Sequence, residues 1–249
     1  DLYYSDSHYG DTMTWTLIEG SIAADQSGNN TYVDNGTKTG KSPGDPSVEK
    51  RYYRVVVAGT TPTVYSRDWW GVFSTQLVEG MNLVSFPVIP ENVLINSSIG
   101  IQLKGATLPQ TADSIWYWDK VNKQYDYAWL STRTGFLGWR SATIQGAPES
   151  ILSLDADKGF WVQIRPGHEA QNLKLVGRVP RQDQIMHMVK GMQLFGTPYP
   201  VEVNLDNANL TANGATLPQN ADTIWYWDRA KQQYDYAWLS TRAGFLGWR

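Results

Sequence analysis

A block of 36 residues occurs twice in this chain, and any fold must build it twice. Residues 105–140 read GATLPQTADSIWYWDKVNKQYDYAWLSTRTGFLGWR, and residues 214–249 read GATLPQNADTIWYWDRAKQQYDYAWLSTRAGFLGWR, at an offset of 109 with seven differences. Eight of the twelve tryptophans lie in these blocks, so the repeat also explains the high tryptophan content. Upstream the likeness is fainter: Gly80-Met81-Asn82-Leu83 with Pro87 answers Gly191-Met192-Gln193-Leu194 with Pro198. A period of about 110 residues is far too long for a solenoid unit, so each copy is expected to be a small domain. Beyond the blocks the copies part. The first continues through Gly159-Phe160-Trp161-Val162-Gln163-Ile164 and then 173–179 (LKLVGRV), whereas neither segment follows the second. The second copy is therefore expected to be an incomplete unit.

Inside the block, side-chain alternation is clear. In Ile115-Trp116-Tyr117-Trp118-Asp119, a strand puts Trp116 and Trp118 on one face and Ile115 and Tyr117 on the other. In 125–130 (YDYAWL), Tyr125, Tyr127 and Trp129 share a face. Residues 120–124 read as the hairpin loop between these runs. Four of the seven differences fall at Lys120, Val121, Asn122 and Lys123, as expected where side chains carry no packing load. The hairpin thus has a five-ring face and a second face of Ile115, Tyr117, Ala128 and Leu130. Periodicity alone leaves open which of them points inward. The second copy repeats the ring face with Trp225, Trp227, Tyr234, Tyr236 and Trp238. At about 150–250 Å² per ring and about 25 cal/mol per Å², each ring contributes several kcal/mol if buried. Such rings are expected in a core, under a neighbour or in a binding groove, because left open they make a sticky patch.

With 249 residues and 41% hydrophobic content, the chain can bury one large core or two to three small ones. Short β-like runs separated by Gly, Pro, Asn and Asp dominate; in the first third they fall at 14–19, 31–34 and 51–58 (RYYRVVVA). Residues 35–47 hold Gly36, Gly40, Pro43, Gly44 and Pro46 and are expected to be a loop. A second loop or linker is expected from Gly59 to Trp69. Long amphipathic helix patterns are missing, and the one helical candidate is short, at 182–189. The expected class is all-β, with two to three β-sandwich-like modules in tandem and the last incomplete: 1–75, 76–181 and 182–249.

Two stretches resemble known modules. Trp15-Thr16-Leu17-Ile18, then Tyr32-Val33-Asp34, then Lys50-Arg51-Tyr52-Tyr53-Arg54-Val55 resembles the closing part of bacterial fibronectin-III-like modules. The run 80–87 (GMNLVSFP), with Ala112-Asp113, the Trp-rich strand and Gly159-Phe160-Trp161-Val162, resembles a secreted β-sandwich repeat of bacterial surface proteins. The resemblance implies an exported, repetitive surface or extracellular protein, with no catalytic residues to carry over.

Candidate chemistry meets a plainer explanation at each point. Asp113, Asp119 and Asp126, with Asp222, Asp228 and Asp235, raise the possibility of a glycosidase carboxylate pair. However, Asp119 and Asp126 flank a turn, where Asp serves local hydrogen bonding, and the expectation is structural. Asp155 and Asp157 have the D-x-D-x-G spacing of a calcium loop, but Pro166 stands where the twelfth-position Glu belongs, so a turn entering a strand is expected. His8, His168 and His187 have no metal or triad spacing. Asn29, Asn35, Asn96 and Asn209 begin N-x-S/T sequons. The chain is not expected to be an enzyme or to need a cofactor or metal. Flat rings stack on sugar faces, so Trp116, Trp118, Tyr125, Tyr127 and Trp129, with Arg133, remain a candidate carbohydrate platform.

A net charge of −3 gives no basic footprint for nucleic acid. Membrane insertion is not expected, since no stretch approaches the roughly 20 apolar residues of a membrane helix. Zero cysteines exclude disulfides and thiolate chemistry within the chain. The expected function is an exported structural subunit of a surface layer, sheath or extracellular fibre. The expected partner is the chain itself, the C-terminal module being completed by a neighbour whose N-terminal third, including residues 51–58, is the natural donor or docking surface. The alternative is a carbohydrate-binding adhesion module, with polysaccharide as partner.

Overall fold

In the computed structural model the described residues are all except 7–12, 21, 23–30, 44, 46, 120, 183, 201, 202, 209, 229 and 230. Their regular structure is almost wholly β, and the longer strands are rich in the β-branched and aromatic side chains that suit a pleated surface. The strands β1 (Leu2–Ser5), β2 (Thr16–Glu19), β3 (Lys50–Val57), β4 (Val64–Tyr65) and β5 (Trp69–Leu77) come first. After β6 (Gly80–Ser85) comes one helical turn, α1 (Ile95–Ser98). Then follow β7 (Ser114–Asp119), β8 (Gln124–Ser131), β9 (Gly138–Ser141), β10 (Gly159–Ile164) and β11 (Gln171–Val179). The last are β12 (Thr223–Asp228), β13 (Gln233–Ser240) and β14 (Gly247–Trp248). Contacts divide the chain into two units, Asp1–Pro200 and Val201–Arg249.

The first unit contains two antiparallel sheets. One has the order β11-β5-β3-β1-β2, with β4 paired to β3; the other has the order β6-β10-β7-β8-β9. Alternation along each strand sends one face into a shared core. From the first sheet come Tyr52, Phe73, Leu173 and Leu175, and from the second Ile115, Leu130, Phe160 and Val162, all in one cluster. Residue Ile95 of α1 joins them, and fully buried Trp139 donates Nε1–H to the Gly100 carbonyl at 2.6 Å. The boundary expected between residues 75 and 76 falls inside β5, and β11, from beyond it, pairs with β5 along nine residues. The expected linker after Gly59 is a tight return that lays β4 on β3.

Two elements differ from expectation. Residues 31–34 form no strand; Asp34 turns its carboxylate to the Gly36 amide at 3.0 Å and to Arg51 and Tyr53, which draws the chain out of any ladder. The described residues of 182–189 form no helix, since eight residues give barely two turns and nucleation of so short a helix is unfavourable. The described residues of 35–47 do form a loop. It is pinned by Arg51, which stands on the outer face of β3 yet is only 1% exposed. Arg51 makes a two-pronged contact with Asp6 at 2.7 Å on each arm and reaches Asp34 and Thr39 at 3.0 Å.

The second unit is a three-stranded antiparallel sheet, β12-β13-β14. Its register repeats that of the first copy: Thr223 faces Trp238 as Ser114 faces Trp129, and Leu239 faces Trp248 as Leu130 faces Trp139. A parallel bridge from Ala215 to Ser240 likewise repeats Ala106 to Ser131. Upstream the likeness fails. Residues 191–196, the counterpart of β6, form no strand. In the first copy β6 pairs with β10 alone in its sheet, so a counterpart of β6 without one of β10 has no ladder to join.

Candidate functional site

The hairpin β7–β8 resolves the question of faces. Ile115, Ala128 and Leu130 are buried in the core, with Tyr117 packed against it. The ring face therefore points away from the core. On it Trp116 stacks on Tyr127 with centroids 4.2 Å apart and planes 13° apart, while Trp118 meets Tyr125 edge-on at 5.1 Å. Trp129 is buried; Trp116, Trp118 and Tyr127 are half-buried; Tyr125 is exposed. Cross-strand aromatic pairs of this kind stabilise a hairpin by about 0.2–1 kcal/mol each.

A sixth ring joins the face. Trp161 of β10 lies opposite Trp116 and donates Nε1–H to the Tyr125 hydroxyl at 3.3 Å. The sequence reading assigns Trp161 no such role. The signal was there: Phe160, Val162 and Ile164 fill the core, so period two turns Trp161 to the opposite face. Arg133 does not join the platform; its guanidinium lies over Phe136, 5.3 Å from the ring centroid.

The carboxylates are engaged locally. Asp119 accepts from the Val121 and Asn122 amides at 2.8 and 3.1 Å, and these bonds, with one from the Asn122 side chain, hold its carboxyl below the ordinary aspartate value. Asp126 accepts from the Tyr117 hydroxyl at 2.6 Å; burial first, and then this carboxylate, push the Tyr117 phenol above its usual value. Asp113 is fully buried. Its Oδ2 accepts from the Lys104 amide and Gln171 Nε2 at 3.0 and 2.9 Å, its Oδ1 from the Arg165 amide at 2.9 Å, and His168 Nδ1 lies 2.7 Å from Oδ1. These three carboxylates thus tie turns and strand ends together. Asp155 carries the Lys158 ammonium, and Asp157 and Lys158 both line a cleft.

That cleft, about 420 Å³, opens at the tip of β7 and is lined by Trp118, Phe160, His187, Met188, Leu194 and others. Among the sequon residues, Asn35 Oδ1 accepts from the Thr37 amide, and Asn96 Nδ2 donates to Glu149 at 2.6 Å. Asn29, Asn209 and His8 lie outside the described residues.

The second copy reproduces the ring geometry in a different setting. Trp225 stacks on Tyr236 at 4.7 Å and 26°, and Trp227 meets Tyr234 edge-on at 5.1 Å. Tyr226 donates to Asp235 at 2.8 Å, as Tyr117 does to Asp126, and this bond and the Tyr236 amide hold Asp235 below its ordinary value. Exposure is what changes. Trp225 is 50% and Tyr236 42% exposed, Trp227 and Trp238 are half-buried, and Ile224 is only half-buried where Ile115 is sealed. In the first copy β10 lies on the outer edge of β7; among the described residues β12 has no strand on that edge. Comparison with protein-family models, curated proteins and solved structures finds no match for this chain.

Proposed function

We propose that the protein is an exported structural subunit that assembles into a surface layer, sheath or extracellular fibre through its repeated Trp-rich hairpin. The observation that supports this is the contrast between the copies. One hairpin is flanked by β10 and backed by a core; its near-identical twin has exposed rings and, among the described residues, no strand on the corresponding edge. An open edge presents unpaired N–H and C=O groups, and apolar edges of this kind recruit strands. A contact between different surfaces of two subunits does not close on itself unless the rotation makes a ring, so it propagates. Residues 51–58 are not the donor in this reading, because β3 already has β1 on one edge and β5 and β4 on the other.

Sedimentation velocity across a concentration series tests the proposal. The chain is expected to associate, and Thr223→Pro is expected to reduce association, because proline removes an edge donor. A chain that stays monomeric throughout overturns it.

A second reading, carbohydrate binding, draws on the outward orientation of the rings in both copies. Affinity electrophoresis in polysaccharide gels checks it: Trp225→Ala should relieve retardation, and a wild-type chain that runs unretarded in every gel removes the reading.

A further inference from the structure

We propose that Met186, His187 and Met188 form a binding site for one soft monovalent cation, copper(I) or its redox-inert counterpart silver(I), in the cleft at the tip of β7. The inference goes beyond the assembly reading and is independent of it, because every residue involved lies within the first unit.

The sequence supplies the donors. Three of the five methionines fall between residues 186 and 192, and His187 stands between two of them. Thioether sulfur selects copper(I) and imidazole also suits copper, whereas magnesium, calcium and manganese take oxygen ligands. Silver(I) shares the softness and charge of copper(I). Packing does not account for these methionines. Methionine commonly fills gaps in a core, yet Met188 is 45% and Met192 82% exposed, and His187 is exposed as well. No second histidine lies near His187 in sequence, and the donors that flank it are thioethers.

The fold brings the donors to one place. Met186, His187 and Met188 all line the same cleft, which Met192 does not. Residues 184–189 belong to no strand, so the strict alternation of a β ladder does not divide the three side chains between two faces. The apolar wall of Trp118 and Phe160 limits the water that competes for an ion. Charge favours a cation: Asp119 and Asp157 line the cleft, and the Lys158 ammonium beside them is neutralised by Asp155. Among the described residues no cluster of three His, Asp or Glu side chains could hold a harder ion.

The test is competition for copper(I) between the whole chain and a chromophoric copper(I) chelator under anaerobic, reducing conditions. Silver(I) is titrated in parallel by calorimetry, and both ions are followed by NMR of the chain carrying methyl-labelled methionine. One equivalent is expected to bind and to shift two methyl resonances, the ones missing from Met186→Leu and Met188→Leu. Leucine nearly conserves methionine's volume, so these variants keep the fold. Each of them, and His187→Ala, should lower affinity about tenfold or more, whereas Met192→Leu, on the same segment but outside the cleft, should leave it unchanged. The inference is overturned if neither ion binds more tightly than it does to free methionine, or if uptake survives the three ligand variants. Equal loss in Met192→Leu overturns it too, because any exposed methionine would then serve. Zinc(II) that displaces copper(I) from the site removes the soft-cation assignment.

Discussion

Arg51 and Asp34 show how a single buried charge can organise a loop. The guanidinium is desolvated but has partners on Asp6, Asp34 and Thr39, so removing it strands two carboxylates rather than deleting one contact. Arg51→Met is therefore expected to destabilise the first unit by about 3–5 kcal/mol, measured by chemical denaturation. For Asp34, burial favours the neutral form, but bonds from Tyr53, the Gly36 amide, Thr39 and Arg51 outweigh it and lower its pKa. A carboxyl whose folded pKa is depressed contributes stability above its unfolded value, and loses it as pH falls through the folded value. Denaturation midpoints should accordingly fall on acidification below the ordinary aspartate range, and less steeply in Tyr53→Phe. The repeat supplies an internal control of the same kind. Asp113→Ala orphans the buried donors around it and should cost about 3 kcal/mol or more, whereas Asp222→Ala, at an exposed position, should leave unfolding nearly unchanged.

Among the strands, the hairpin was readable from sequence and its surroundings were not. Period-two alternation gave the faces of β7 and β8, and the substitutions at 120–123 marked the turn, because both signals are local. Which face turns inward depends on β10, from beyond residue 158, and no window on the hairpin contains it. Likewise the pairing of β11 with β5 links residues about a hundred apart, so the module boundary expected after residue 75 falls within a strand. Asp34 resembled a strand end because its use, accepting from Arg51 and Tyr53, is a tertiary fact. Gly177 in β11 is a further case. A Cβ there would stand 2.4 Å from the Ile89 carbonyl oxygen, a backbone atom held by reciprocal bonds with Arg178. Gly177→Ala should therefore destabilise the first unit by about 1–3 kcal/mol, read from the thermal or chemical midpoint. An unchanged midpoint would mean that this strand and the Ile89 segment are not packed as described.

Across the whole chain, the two copies form a natural experiment in which sequence is nearly constant and environment is not. Their hairpins share strand sequence, register and cross-strand rings and differ mainly at the turn, so differences in stability within the strands report the contribution of what surrounds each. The first sits in a five-stranded sheet over a core; the second sits in a sheet of three strands, with apolar groups half-exposed on both faces. Sheets of so few strands are marginal without cover, and local opening follows exposure and contact density more than propensity. Amide hydrogen exchange on dilute, unassembled protein should therefore be faster at Ile224, Tyr226 and Ala237 than at Ile115, Tyr117 and Ala128, by about two orders of magnitude or more. These residues face across their hairpins, so their amides are bonded in both copies and the comparison isolates cooperativity rather than solvent access. On assembly the gap should narrow, first along β12. Equal protection in the dilute chain would show that the second hairpin is stable without a strand on its edge, and the case for recruitment there would lose its thermodynamic ground.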